Sequence, residues 1–365
     1  MRSLIALFVV LCLFAAAPAK GLEVGICEQH FDDEVIWLMD RLGTKLIRTD
    51  VWMSNYDRWG QGELERLDRL VKAAKTNGIE VLFLFHDYPH DDMDPEIFRR
   101  NMRPDNYVSM LKFYLYRFPG VKYWQLASEQ NGLWSSWARD KDDLDIKGYV
   151  HLYRLARYAV DTVNATDPRR TNSQAELFLG GLSGYTGATM NPFEWLDTFL
   201  QLGGVGTFDY LAYHPYRQGV DPKHYLADEI ERLNEIVRNH YRPRLRFSPR
   251  SRTGSRAVHL PQFAITEYGE YVLASGGVDQ ITRGQHYQSF LEIVSGMPQV
   301  KFAFFYELSH RYCWSSEAGM NVPCVDSSNP GPSPDPESFY GLYDARVMTE
   351  AGHVVKDFIL NQEPR

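Results

Sequence analysis

Short apolar runs alternate with amphipathic stretches along almost the whole chain. The runs at 22–26, 45–49, 81–85, 123–127, 177–182, 210–213, 263–266 and 301–306 are brief, and most are rich in branched and aromatic residues. Runs of that kind predict buried strands. Helical periodicity follows each of them, for example at 63–77, 107–118, 149–163, 225–239 and 286–295, with a last helix at 350–360. Gly78 stands just past the first of these helices, where a left-handed cap is expected. Eight strand–helix units with none left over predict a single closed (β/α)8 TIM barrel, of class α/β, with long loops on one face. The alternative, an open doubly wound sheet, would expect a G-x-G-x-x-G after the first strand, and none is present.

The N-terminus stands apart from this pattern. Arg2 leads into an apolar run that closes on Ala17-Pro18-Ala19. This is the layout of a secretory leader cleaved after Ala19, which divides the chain into a signal at 1–19 and a barrel at 20–365. The expected location is therefore secreted or periplasmic, with no stable membrane insertion after processing. The formal net charge of −8, one unit more negative without Arg2, argues against nucleic acid as a partner. Export permits disulfides. Cys313 and Cys324 lie close together in a segment rich in Ser, Pro and Gly and are expected to bridge, worth about 3 kcal/mol in the chain-entropy model. Cys27 reads as a buried free thiol. No Cys/His spacing suits zinc, so neither a metal nor another cofactor is expected.

In such a barrel, side chains at the C-terminal ends of the strands face the active site. That rule selects Arg48, His86, Glu129, His214, Glu267, Tyr306 and Glu307. Two of these are carboxylates just past strands four and seven. Cleavage of a glycosidic bond needs such a pair, one to protonate the leaving oxygen and one to attack or to activate water. Arg48 is expected beside Glu267, keeping it ionised, and Tyr216 is expected to donate to the same carboxylate. Glu129, as the acid, has to hold its proton near working pH. His214 and His86 are expected to line the sugar subsite.

The motifs resemble those of clan A glycoside hydrolases, most closely family 39 and the bacterial exopolysaccharide hydrolases related to it. A fourth-strand W-x-x-x-N-E-P-N is matched at Trp124, Glu129 and Asn131, and a seventh-strand T-E-x-G at Thr266, Glu267 and Gly269. Asp209, His214 and Tyr216 resemble the sixth strand, and Arg48, Asp50 and Trp52 the second. The likeness spans roughly 22–360. It implies Glu129 as acid/base and Glu267 as nucleophile of a retaining enzyme acting on a polysaccharide or oligosaccharide. The family's Asn before the acid/base is Ser128 here, and its following Pro is Gln130. A serine is too short to reach a sugar 2-hydroxyl without a water. Either Asn131 takes over that contact, or the substrate differs at C2, or activity is weak; the last would suit a carbohydrate-binding barrel.

Further features bear on the substrate. Trp134 and Trp137 follow Glu129 closely and are expected to stack on sugar rings; Tyr88, Tyr306 and Trp314 are lesser candidates. The stretch from His86 to Asp94 reads as a polar loop rather than a metal cluster. Seven arginines between Arg238 and Arg256 read as a solvated insertion on the face away from catalysis. Asn164-Ala165-Thr166 is a glycosylation sequon. Long loops after strands three, four and eight, with little chain beyond the last helix, are expected to leave an open groove and endo cleavage.

Overall fold

The computed structural model describes residues 21–28, 31–53, 61–86, 100–132, 138–140, 143–171, 173–185, 187–247, 259–270, 278–308, 312–315, 320–323, 341–344 and 347–362. The barrel strands are β1 (Glu23–Cys27), β2 (Leu46–Trp52), β3 (Glu80–His86), β4 (Tyr123–Ser128), β5 (Glu176–Ser183), β6 (Tyr210–His214), β7 (Gln262–Tyr268) and β8 (Val300–Phe305). They pair in parallel and in sequence order, and β1 closes on β8 through Glu23↔Phe302 to Ile26↔Phe305. Each strand is followed by a helix: α1 (Asp33–Leu42), α2 (Gln61–Thr76), α3 (Pro104–Arg117), α4 (Ile146–Thr166), α5 (Pro192–Phe199), α6 (Leu226–Phe247), α7 (Gln280–Ser295) and α8 (Glu350–Gln362). The protein is thus a (β/α)8 TIM barrel, as the alternation of runs predicted.

Strand alternation sorts the apolar residues into two shells. One face of each strand packs outward against the helices, as with Phe83, Trp124, Leu126 and Leu211. The other fills the barrel, where Tyr123, Phe178, Tyr210 and Phe302 meet ring against ring, Phe178 and Tyr210 stacked at 4.3 Å and Tyr210 and Phe302 edge-on at 5.3 Å. This plug leaves no channel, as a packed barrel core requires. Gly25 allows it: a Cβ there would sit 2.7 Å from the Phe304 ring. Above the plug the inward positions turn polar, with Arg48, Gln125, His214 and Thr266 all buried. Apolar burial ends where the chemistry begins.

The helices depart from expectation mainly at their ends. Gly78 adopts φ 65°, the left-handed cap that was anticipated. The expected end of α6 at 239 is overrun: the backbone stays helical to Phe247, through Pro243. The backbone of the arginines from 238 to 246 therefore lies on a helix, and Arg238 and Arg242 are exposed on it, in keeping with the solvated reading, while 250, 252 and 256 lie outside the described residues. Residues 312–315 and 320–323 form an antiparallel hairpin after β8, a feature the strand pattern did not show. The expected bridge lies outside the described residues, since Cys324 and the side chain of Cys313 are not described.

Candidate active site

The end of β4 is bent to present Glu129. Ala127 and Glu129 have φ of 58° and 50°, the left-handed region that side-chain-bearing residues avoid at a cost of about 1–3 kcal/mol each. Neighbouring hydrogen bonds hold this shape. The Glu129 N–H donates to the Gly181 carbonyl at 2.8 Å, and the Gln130 side chain donates to the Gly180 carbonyl at 2.8 Å. The Tyr149 and Tyr153 hydroxyls both donate to the Leu126 carbonyl. Asn131 is wholly buried; its amide donates to the Ser183 and Met190 carbonyls and accepts from the Ser183 N–H. Asn131 is therefore an anchor of this turn, with its amide spent on backbone, which weighs against the first of the three alternatives raised by Ser128. Gln130, a departure from the resembled motif, does similar work.

Glu267, on β7, meets Glu129 across the barrel mouth. One oxygen of each carboxylate and Nδ1 of His214 all lie within 4.8 Å of one another. Arg48 Nη2 stands 2.9 Å from Glu267 Oε1, and the Tyr216 hydroxyl donates to Glu267 Oε2 at 3.0 Å. His214 Nδ1 is 3.1 Å from Glu129 Oε1 and 3.5 Å from Glu267 Oε2. Its Nε2 is 3.0 Å from the Thr266 hydroxyl. Both glutamates remain partly open, at 19% and 16% side-chain exposure, whereas His214 is sealed. His214 thus links the two carboxylates from beneath, a different place from the sugar-lining one expected of it. Gly181 makes room for it, because a Cβ there would fall 1.9 Å from Nε2.

A second ring supports these groups. Arg48 Nε donates to Gln125 Oε1 at 2.9 Å. Burial opposes the charge on Arg48, but Glu267, Cys27 and Asp50 together raise its pKa above the ordinary value. The Cys27 thiol donates to the Thr266 carbonyl at 3.2 Å, and burial pushes its pKa up to about 12, so the buried free thiol is inert. His86 is buried, 3.4 Å from Asp50 Oδ1 and with its ring centroid 4.3 Å from that of Trp52. Although burial works against it, His86 and Arg48 hold the Asp50 carboxyl below its usual range. Ser128 is buried beside Gly181 of β5. Tyr306 packs on the plug just past β8. Trp134, Trp137 and Tyr88 lie outside the described residues, as does the side chain of Trp314.

Gln125 was not anticipated, and Thr266 was named only as part of the T-E-x-G match, with no role. The available signal was register: a polar residue at an inward position of a strand otherwise filled with apolar residues has to be paired. The Glu129–His214–Glu267 set also offers three donor atoms to a cation, which no local spacing could reveal because the residues come from three strands. Arg48 already supplies positive charge to Glu267, which opposes a dication there.

Neither a protein-family model nor a curated protein sequence matches the chain. Solved structures share its architecture at low identity. Native xylanase 10B from Thermotoga maritima is similar with a TM-score of 0.57 and 13% identity, over 94% of this chain and 96% of that one. The family 1 β-glucosidase from the same organism gives 0.53 and 13%, over 91% and 86%. A GH2 β-galacturonidase from Eisenbergiella tayi gives 0.54 and 14%, over 94% of this chain and 51% of that one. What this chain shares with all three is the eight-stranded parallel barrel.

Proposed function

We propose that this protein is a retaining glycoside hydrolase, with Glu129 as acid/base and Glu267 as nucleophile. The observation that carries the reading is that one oxygen of each carboxylate lies within 4.8 Å of an oxygen of the other at the barrel mouth. Retaining enzymes place their carboxyl groups about 5–5.5 Å apart, while inverting ones need about 6.5–9.5 Å to admit a water. Glu129 protonates the leaving oxygen as Glu267 attacks the anomeric carbon, giving a glycosyl-enzyme. Glu129, now ionised, takes a proton from water as that water attacks the same carbon and frees Glu267. Arg48 and Tyr216 hold Glu267 for the attack. The xylanase and β-glucosidase that share the barrel carry names that agree with this class.

Endo cleavage of a polysaccharide belongs to the same proposal, supported by the long segments after β3, β4 and β8. Secretion and a Cys313–Cys324 bridge also belong to it, resting on the leader-like N-terminus. The competing reading is a barrel that binds carbohydrate and turns it over weakly. Ser128 favours it, because a buried serine replaces a longer amide beside the acid/base.

The test is a screen of 4-nitrophenyl glycosides and soluble polysaccharides with Glu267→Gln as the blank. Activity that disappears in the blank, a product first formed with retained anomeric configuration, and a fast fall in polymer viscosity are expected. Inverted product would remove the double displacement. Monosaccharide release with viscosity unchanged would remove the endo mode. Binding without turnover would favour the competing reading.

A further inference from the structure

His214 poses a proton-placement problem. Its Nδ1 faces two carboxylates, at 3.1 Å and 3.5 Å. A bare lone pair directed at two carboxylate oxygens is repelled by both, so Nδ1 must carry a proton whenever both glutamates are ionised. A neutral imidazole then has its lone pair on Nε2, and that nitrogen is sealed inside the barrel. The group it meets is the Thr266 hydroxyl, 3.0 Å away. Thr266 is itself wholly buried, and its hydroxyl can donate. On its other side the imidazole lies against Gly181, which offers no polar side chain.

We propose that Thr266 is a positioning residue that sets the tautomer of His214: its hydroxyl donates to Nε2, so that the ring's single N–H is aimed from Nδ1 at Glu129 and Glu267. The inference rests on the reading of those glutamates as the catalytic pair. Nδ1–H donates to Glu129 Oε1 and leans toward Glu267 Oε2, tying the two carboxylates to one rigid donor. Through His214, Thr266 fixes their spacing without touching substrate. A threonine immediately before the nucleophile is well suited to this, since the same short backbone stretch carries both the nucleophile and the hydroxyl that orients its partner.

Two variants separate the hydroxyl from the shape. Thr266→Val keeps the branched shape and loses the donor. Thr266→Ser keeps the donor and loses a methyl. If the hydroxyl sets the tautomer, Thr266→Val lowers kcat/KM by about tenfold, the loss expected for one buried hydrogen bond left unmade, while Thr266→Ser stays near wild type. The probe is the 4-nitrophenyl glycoside turned over fastest in the screen. The reverse order, with Val active and Ser impaired, would show that Thr266 only packs. The second measurement needs no turnover: 15N spectra of histidine-labelled full-length protein, with His214 assigned from its loss in His214→Asn. Recorded at a pH high enough to ionise both glutamates, the wild type should show a protonated Nδ1 and a bare, hydrogen-bonded Nε2, and the Nε2 resonance should shift in Thr266→Val. A proton on Nε2, alone or with Nδ1, would overturn the proposal. If the wild type turns over no glycoside, the catalytic reading fails, and the spectra still decide the tautomer. They also decide it should Thr266→Val fail to fold.

Discussion

Two carboxylate–histidine pairs stand three residues apart at the end of β7 and differ in almost everything but their chemistry. Glu267 shares His214 with a second carboxylate, is countered by Arg48, and remains partly open to solvent. Glu270 is sealed. Its Oε2 is 2.7 Å from His286 Nδ1, its Oε1 accepts from the Gly219 N–H at 3.2 Å, and no second carboxylate is brought to it among the described residues. Burial pushes the Glu270 carboxyl above its ordinary value, with His286 and Arg283 opposing the shift. Arg283, buried as well, donates to the Gly341 carbonyl and the Thr349 hydroxyl, so this cluster fastens the end of β7 to α7 and the chain leading into α8. The contrast teaches that a carboxylate–imidazole pair by itself signals nothing catalytic. Access and a second carboxylate at reacting distance distinguish the outer pair, and satisfied hydrogen bonds without access mark the inner one.

The comparison can be broken most forcefully at the outer pair. Glu267→Gln should lower turnover by about 10⁴-fold or more, as loss of a nucleophile does, with the melting temperature little changed. Glu129→Gln should cost about 10²–10⁴-fold, the usual worth of a general acid, and less on substrates whose leaving group needs no proton. Equal losses on good and poor leaving groups would take the acid role away from Glu129.

At the inner pair the effects should be reversed. Glu270→Ala leaves His286 buried without its partner, and should destabilise the fold by about 3 kcal/mol in denaturant titration. Turnover per folded molecule should be unchanged. A large loss of turnover with stability intact would erase the distinction between the two pairs.

The smallest effect is one of pH. A carboxyl whose folded pKa is raised contributes stability that is complete below its unfolded value and fades as pH rises through the folded one. For Glu270 that fading begins near the ordinary 4.5 and runs upward. The stability of wild type relative to Glu270→Gln should therefore decline as pH rises from about 4. A relative stability that grows over that range would show that the His286 ion pair, not burial, governs the carboxyl.

Much of this was readable in the chain. Strand and helix periods report local burial, so the eight units and the strand ends carrying Arg48, Glu129, His214 and Glu267 followed from pattern alone. Boundaries were less legible: the helical period was read only over 225–239, yet the backbone of α6 remains helical to Phe247. Partnership was not legible at all. Asn131 reads as a polar residue beside an acid, and only the packing of β4 against β5 shows its amide consumed by three backbone groups. Glu267 and Glu270 are both glutamates following an apolar strand, and nothing in their spacing tells the open one from the sealed one.

The sequence by itself determined the barrel and the identities of the groups at its mouth, because alternation of side chains along a strand is a one-dimensional signal. The tertiary structure alone decided which groups touch. Glu129, His214 and Glu267 come from three strands far apart in the chain, and barrel closure brings one atom from each within 4.8 Å of the others. That distance depends on strand register, on the left-handed turn at Glu129 and on the missing side chain at Gly181. Each of these is a property of neighbouring strands together, and no single strand encodes it.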